Sequence, residues 1–248
     1  MMEVTHRKFG LLIIKEIWFN DNPNFIPPSS FNFYILKQSV KINYKKYIVK
    51  REEFYTTIID LTKDLDEIWK NFDKKSTRYE IKKALKYIDK IKILKNKDYD
   101  LFFKLGEIYY KEKYFKNIKY DVNKIKKLYK NHILYSAYYD GDFICGLFFI
   151  YDKDRIRLFK AFSKYFINEN YKKISNFLNR YLHWYAIQEA KKMGFKIYDF
   201  GGINLNPNSE TYGITKFKLS FGGNIIKEYN YIVHKYAKLA HLLLNLKR

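Results

Sequence analysis

The sequence has few cysteines, few acidic residues and no long apolar stretch. Its single cysteine among 248 residues, Cys145, excludes a disulfide within the chain. Because this cysteine lies in the apolar run 143–150, we expect a buried thiol in a reducing, cytoplasmic setting. No segment approaches the ~20 apolar residues that a membrane-spanning helix requires. The apolar run 11–14 is cut short by Lys15 and Glu16, so we expect no secretory signal.

Basic residues outnumber acidic ones, with 48 lysines and arginines against 26 aspartates and glutamates, a formal net charge of +22. The richness in Lys, Asn, Ile, Tyr and Phe fits an AT-rich coding bias, but that bias does not explain the deficit of acid. A charge of this size attracts nucleic acid, an anionic membrane or phosphorylated substrates. The alternative is a solvated basic surface that serves no single partner.

Hydrophobic residues make up 47% of the chain, enough for a core in one large domain or in one domain with an appendage. Apolar runs and alternation in the first quarter predict strands over 9–19, 31–36, 41–49 and 54–61. Helical spacing and capping residues then predict helices from Thr62, from Ser76, over 98–114 and over 121–130.

The pattern in the second half of the sequence predicts a different order of helices and strands. A three-strand meander comes first, with Asp140-Gly141 as its tight turn. Its strands are predicted over 133–139, 143–151 and 156–162. A long helix (about 171–193), a strand (195–200), a short basic segment (212–218), a strand (224–234) and a basic helix (235–248) complete the chain.

Motifs in the last third carry a family resemblance. They are Leu182-x-Trp184-x-Ala186-Ile187, Ala190-Lys191-x-x-Gly194, Tyr198-Asp199-Phe200-Gly201-Gly202-Ile203 and Gly213-Ile214-x-Lys216-Phe217-Lys218-x-x-Phe221-Gly222-Gly223. A weaker match covers Thr57-Ile58-Ile59-Asp60-Leu61 and Arg78-x-x-Ile81-x-x-Ala84. In order and spacing they resemble the Fem-type aminoacyltransferases, which extend the peptide bridges of peptidoglycan and belong to the wider GNAT-like acyltransferase superfamily.

The resemblance implies a GNAT-like α/β fold, in which helices flank a mixed sheet, with an extra N-terminal β-rich segment. We expect residues 1–61 to form that segment, as a partial first half, and residues 62–248 to form the acyltransferase domain. In such folds the acyl donor lies where two central strands splay. Here those strands would be 156–162 and 195–200.

The strand that stops at Gly201-Gly202 is a usual way to open a ligand cleft, because glycines let the backbone approach a ligand closely. Asp199 at this strand end could accept a proton from an attacking amine, or it could bind backbone N–H groups in the glycine turn. His183 on the long helix is a second candidate base, with a partly buried helix residue as the alternative.

Lys216 and Lys218 precede the turn at Phe221-Gly222 and suit a phosphate or pyrophosphate, with a solvated basic face as the alternative. Arg180 is a weaker candidate of the same kind. We therefore expect Gly201, Gly202, Lys216, Lys218, Phe221 and Gly222 to contact the donor, and no metal to be needed.

Two departures from the GNAT pattern point towards the Fem branch and away from coenzyme A. Residues 163–176 contain no glycine, so the usual donor loop is missing. Phe217 stands near the position where many GNAT enzymes place a tyrosine that protonates the leaving thiolate, and Tyr212 could substitute for it. In the other direction, full Fem enzymes carry two GNAT-like domains and usually a helical arm, for which this chain lacks room; this slightly favours a small acyl donor.

The expected activity is transfer of an acyl group to an amine on an amino sugar, amino acid or cell-envelope precursor. The donor would be acyl-coenzyme A or aminoacyl-tRNA. One alternative is an aminoacyl-tRNA-dependent transferase for peptidoglycan bridges, with the lysine-rich segments 78–92 and 111–130 holding tRNA. Another is a non-catalytic protein on the same scaffold that binds RNA or a membrane surface. The expected location is the cytoplasm, with peripheral contact with anionic lipid at the inner face of the membrane.

Overall fold

The computed structural model describes residues 1–8, 12–28, 32–166 and 169–238. The chain forms two compact units. The first unit contains residues 1–56 and 202–205 and the chain from residue 225 onward; the second contains residues 57–201 and 206–224. The expected domain boundary at residue 61 stays a prediction.

Ten strands and six α-helices form in the described part of the chain. The strands are β1 (Met2–Lys8), β2 (Leu12–Trp18), β3 (Asn32–Ser39), β4 (Ile48–Asp60), β5 (Ile91–Lys95), β6 (His132–Tyr139), β7 (Asp142–Tyr151), β8 (Arg155–Ser163), β9 (Ile197–Gly202) and β10 (Asn224–Val233). The helices are α1 (Leu65–Asn71), α2 (Thr77–Leu85), α3 (Tyr99–Tyr114), α4 (Val122–Leu128), α5 (Lys172–Lys192) and α6 (Tyr212–Leu219).

The first unit is built on strands. β1 pairs antiparallel with β2, β2 runs parallel to β3, and β3 pairs antiparallel with β10. Its small core includes Tyr34, Leu36, Tyr231 and Val233. The predicted strand 41–49 is wrong over most of its length, because residues 41–47 form no strand. One long strand, β4, begins at Ile48 and covers the predicted strand 54–61 up to Asp60.

The apolar pattern of the sequence does not predict β1 or β5. β1 has the sequence MEVTHRK, in which mainly polar residues follow Met2 and Val4, so the apolar alternation is too short to detect. β5, IKILK, is five residues long and lies at the edge of its sheet. Short edge strands rich in lysine carry little of the hydrophobic pattern on which strand prediction depends.

The second unit has a mixed sheet with the order β9-β8-β7-β6-β5. The predicted meander β6-β7-β8 is antiparallel, and β8 runs parallel to β9. Leu147 and Phe149 of β7 belong to a core cluster that includes α5 residues, whereas Phe148 packs its ring against Phe102 and Phe103 of α3. Since neighbouring strand residues face opposite sides, helices cover both faces of this sheet. The predicted GNAT-like α/β fold is confirmed.

The long helix α5 spans nearly the predicted range and buries an apolar stripe that includes Leu178, Leu182, Ala186 and Ala190. It ends where Gly194 adopts a left-handed backbone with φ of 84°. Within the described residues no helix is both long and apolar enough to cross a membrane. Most of the predicted C-terminal helix, residues 239–248, lies outside the described part of the chain.

The glycine after α6 is required by the packing of the second unit. Gly222 has φ of 67°, and a Cβ added there would lie 2.1 Å from the carbonyl oxygen of Asn71. We expect Gly222→Ala to lower the free energy of unfolding by about 2–4 kcal/mol, because left-handed strain and steric overlap add. Gly213→Ala is the control: open space surrounds Gly213 in α6, and alanine should stabilise by about 0.5–1 kcal/mol. Equal denaturation midpoints for the two variants would contradict this account.

Candidate functional site

The site begins where two parallel strands part. β8 and β9 pair only through Arg155–Arg157 and Ile197–Asp199. Beyond that point β8 continues along β7 as far as Ser163. The predicted splay of these two strands is therefore present.

A buried ion pair fixes the point of separation. Two nitrogens of Arg155 donate to the Oδ2 atom of Asp199, Nε at 3.0 Å and Nη2 at 2.6 Å. Asp199 is fully buried, and Arg155 is 7% exposed. Oδ1 of Asp199 accepts a hydrogen bond from the backbone N–H of Gly201 at 2.7 Å. This carboxylate thus holds an arginine of one strand and shapes the turn at the end of the other.

These contacts give Asp199 the structural role that the sequence left as an alternative. A proton acceptor must reach the attacking amine, and Asp199 is buried behind Arg155 and Gly201 instead. The neighbouring Gly201, with φ of 72°, is also needed by the fold itself, since a Cβ there would lie 2.8 Å from the carbonyl oxygen of Leu158. The geometry argues against a general-base role for Asp199.

A cavity of about 350 Å³ lies in the second unit beside the splayed part of β8. Its volume is in the range of small-molecule sites. The lining combines apolar and polar side chains and comes from α3, β7, β8, α5 and α6. The lining residues are Tyr109, Leu147, Leu158, Ala161, Phe162, Ser163, Tyr165, Ser175, Asn176, Asn179, Arg180, His183, Gly213, Ile214, Phe217 and Lys218.

Lys218 contributes a positive charge to this cavity. Burial, added to by the nearby Arg157 and partly offset by Asp199, lowers the pKa of its ammonium group to about 8. A lysine in this range is still mostly protonated at neutral pH and sits close to its titration point. It can therefore donate a hydrogen bond to an oxygen that gains negative charge, and it can also exchange a proton.

Arg180 brings a second cation from α5. Its guanidinium group lies over the ring of Phe217, with Cζ 4.8 Å from the ring centroid. Its Nε atom and the Oγ atom of Ser175 are both buried and lack a hydrogen-bond partner within the described residues. Burial lowers the pKa of Arg180, although the negative charges of Glu80 and Asp73 oppose that shift. Buried donors without partners inside a cavity indicate a ligand that accepts hydrogen bonds.

His183 also lines the cavity, but its environment keeps it neutral. Burial, with added repulsion from Lys218 and Arg180, lowers its pKa to about 3. Its Nδ1 atom lies 2.6 Å from the hydroxyl of Tyr198. A histidine with this pKa is a weak base at neutral pH. These contacts favour the alternative that His183 is a buried residue of the helix and not a catalytic base.

Most of the other predicted donor contacts lie away from the cavity. Lys216 is exposed, with its ammonium 5.3 Å from the ring of Tyr212, and neither residue lines the cavity. Phe221 is 1% exposed and packs its ring against Phe72 and Phe200, so it is a core residue.

The remaining predicted glycines make close contacts within the chain. A Cβ on Gly202 would lie 3.0 Å from the ring of Phe54, and Gly222 faces the Asn71 carbonyl as described above. Close packing within the chain therefore accounts for these glycines, and their contact with a donor stays a prediction. Of the predicted set, the structure brings Lys218 and His183 to one cavity, together with the weaker candidate Arg180.

Sequence reasoning missed Ser175 and the apolar wall formed by Leu147, Leu158 and Phe162. A signal for Ser175 was present, since Ser175, Asn179 and His183 recur every four residues along a helix whose buried stripe is otherwise apolar. Polar residues on the buried stripe of a helix therefore indicate residues that line a cavity.

Comparison with protein families matches residues 146–244 to the FemAB family. This range includes β8, α5, β9 and α6, so it contains every cavity residue except Tyr109 on α3. The resemblance to Fem-type aminoacyltransferases is confirmed over this range. A search of the curated proteins found no match.

Solved structures share the fold at low sequence identity. FemX aligns with a TM-score of 0.58 at 14% identity, over 76% of this chain and 63% of its own. The C-terminal domain of a putative lysylphosphatidylglycerol synthetase from Agrobacterium fabrum aligns with a TM-score of 0.57 at 11% identity, over 98% of this chain and 83% of its own. L-PGS from Bacillus licheniformis aligns with a TM-score of 0.52 at 11% identity, over 96% of this chain and 82% of its own. The aligned part thus spans less than two thirds of FemX.

The ion pair predicts how Asp199→Asn should behave. An amide leaves the buried Arg155 charge uncompensated, so we expect the free energy of unfolding to fall by about 3–5 kcal/mol. Turnover per folded molecule should change little. Thermal unfolding and activity on the same sample check this. A variant that melts like the parent but loses about 10²-fold in turnover would restore the general-base role.

Proposed function

Because residues 146–244 match the FemAB family, we propose that this chain is an acyltransferase that moves an acyl group from an activated, anionic donor to an amine. The observation that carries the proposal is the half-buried Lys218 ammonium in a cavity built from the matched elements. The acceptor we propose is an amino sugar, an amino acid or a cell-envelope precursor. The reaction is placed in the cytoplasm, where both candidate donors occur.

The chemistry is direct attack on a carbonyl. The amine nitrogen forms a bond to the acyl carbon, and negative charge develops on the carbonyl oxygen. Lys218 supplies a positive charge beside that oxygen in a partly desolvated site, where such a charge is worth more than in water. The bond from the acyl carbon to the leaving oxygen or sulfur then breaks, and the proton lost by the nitrogen ends on that leaving atom.

The proton does not need a carboxylate or histidine base. His183 is neutral and bonded to Tyr198, and Asp199 holds Arg155. Lys218, with a pKa near neutral pH, is the group in the cavity suited to pass a proton to the leaving atom. Positioning and polarisation therefore supply the rate enhancement in this proposal.

The two parts of the cavity fit the two parts of a donor. Leu147, Leu158 and Phe162 form an apolar wall for an uncharged acyl chain or amino-acid side chain. Arg180 and Ser175 offer unsatisfied donors to a phosphate-bearing group. An acyl thioester of coenzyme A and an aminoacyl ester of tRNA share this chemistry.

Substitutions at Lys218 test the proposal, with Lys216 as the matched control on the same helix. Lys218→Met should lower turnover about 10²–10³-fold, because a charge that stabilises the transition state is removed. The substitution should not lower the melting temperature, because it removes the desolvation cost of a partly buried charge. Turnover of the parent should fall as the pH rises through about 8, where Lys218 loses its proton. Lys218→Arg should remove that alkaline limb, because arginine stays protonated.

Lys216→Gln should leave both turnover and the pH profile unchanged, since Lys216 is exposed. Equal effects of the two lysines would contradict the assignment of Lys218 to the reacting carbonyl. An alkaline limb that persists in Lys218→Arg would assign the titration to another group.

Binding measurements separate the donors. Bulk tRNA and acetyl-coenzyme A are each titrated at two salt concentrations. If tRNA binds, its affinity should fall steeply with salt, because many phosphate contacts release counterions; coenzyme A carries few charges and should give a shallow slope. Arg180→Met should weaken the true donor about tenfold or more. If neither molecule binds saturably, the acyltransferase proposal fails for both donor classes.

A further inference from the structure

An exposed phenylalanine stands at the end of α3 in a backbone conformation that its type disfavours. Phe115 is the C-cap of this helix, with φ of 53°, and its side chain is 93% exposed. Glycine or asparagine is the usual residue at such a cap, because a bulky side chain is strained there. Because it is exposed, the ring also contributes no stabilisation from burial within the chain.

The other non-glycine residues with positive φ each have a local reason. Asn96, Asp98 and Asp140 are of the types that tolerate this conformation, and Phe19 and Gln38 are buried at 7% and 2% exposure. Within the described residues, Phe115 is the bulky side chain that is both strained and exposed. Strain without a packing gain is most often found where a residue serves a function.

Lysines are frequent in the segment that carries this ring. Residues 111–119, which we call the basic tip, contain Lys111, Lys113, Lys116 and Lys119 against one acidic residue, Glu112, and all five are exposed. The tip therefore presents a protruding apolar group among cationic side chains.

The neighbouring aromatic rings do not share this exposure. Tyr110 packs with Tyr109 and Tyr114 at ring-centroid distances of 5.3 and 5.8 Å, and Tyr120 lies 6.2 Å from Phe162. These rings pack against one another or against Phe162, so Phe115 is the most exposed aromatic residue of this segment.

We propose that the basic tip docks on an anionic lipid surface, with the ring of Phe115 inserted among the lipid headgroups and the lysines against their charges. An exposed apolar side chain in a lysine-rich segment is a pattern that binds membrane interfaces. A platform for RNA bases would rest one face of the ring on the protein and expose the other. Phe115 exposes almost its whole surface, which suits insertion better than stacking. This inference does not depend on the proposed acyl transfer.

The test is co-sedimentation of the full chain with vesicles of phosphatidylcholine, with and without phosphatidylglycerol. Binding should require phosphatidylglycerol and weaken with salt. Phe115→Asn should reduce binding about tenfold, because the inserted ring is lost. The same variant should melt at a higher temperature than the parent, because asparagine relieves the left-handed strain. Loss of binding by a more stable protein cannot be ascribed to misfolding.

Two further variants sharpen the result. The double variant Lys116→Gln and Lys119→Gln should weaken binding by about fivefold for each lysine. Leu101→Asn, which removes an apolar side chain that is 51% exposed at the other end of α3, should bind like the parent. Parent-like binding by Phe115→Asn, or equal loss with Leu101→Asn, would overturn the proposal. Saturable tRNA binding that Phe115→Asn abolishes, without vesicle binding by the parent, would overturn it in favour of RNA.

Discussion

The ion pair between Arg155 and Asp199 is the contact on which the rest of the candidate site depends. It joins Arg155, at the first position of the short β8–β9 pairing, to Asp199 at the last position, beyond which the two strands separate. A buried pair of this kind contributes little net stability, yet it penalises any arrangement that separates the charges. Its effect is therefore to fix where the strands part. The second carboxylate oxygen binds the Gly201 N–H, which also fixes the turn that ends β9.

The concentration of positive charge beside that pair follows from the same geometry. Arg157 on β8 is buried, and Lys218 on α6 and Arg180 on α5 are half-buried in the same unit of the chain. Burial, together with repulsion between these like charges, lowers the pKa of Lys218 to about 8 and that of His183 to about 3. An anionic donor would relieve this repulsion on binding. Relief of this repulsion would therefore add to the affinity of the cavity for an anionic ligand.

The sequence predicted the frame of the second unit well and the roles of single residues less well. The meander and α5 have long periodic patterns, so their positions were correct to within a few residues. Lys216 and Lys218 were equivalent in sequence, but two residues of helix turn them to different sides, and only the structure shows which one enters the cavity. The glycines were recognised as close approaches. The group that lies close to Gly202 is the ring of Phe54. Because Phe54 is distant in sequence, the pattern around Gly202 does not predict this contact.

The central claim is that the cavity holds the activated donor beside a lysine whose pKa is lowered. Competitive labelling of lysine amines by a small acylating reagent, read by mass spectrometry across pH, measures this pKa directly and needs no known acceptor. The account predicts that Lys218 titrates near pH 8, well below Lys216, and that the bound donor protects Lys218 from the reagent. A Lys218 that titrates near the ordinary lysine value of about 10.4, and that neither tRNA nor acetyl-coenzyme A protects, would contradict it.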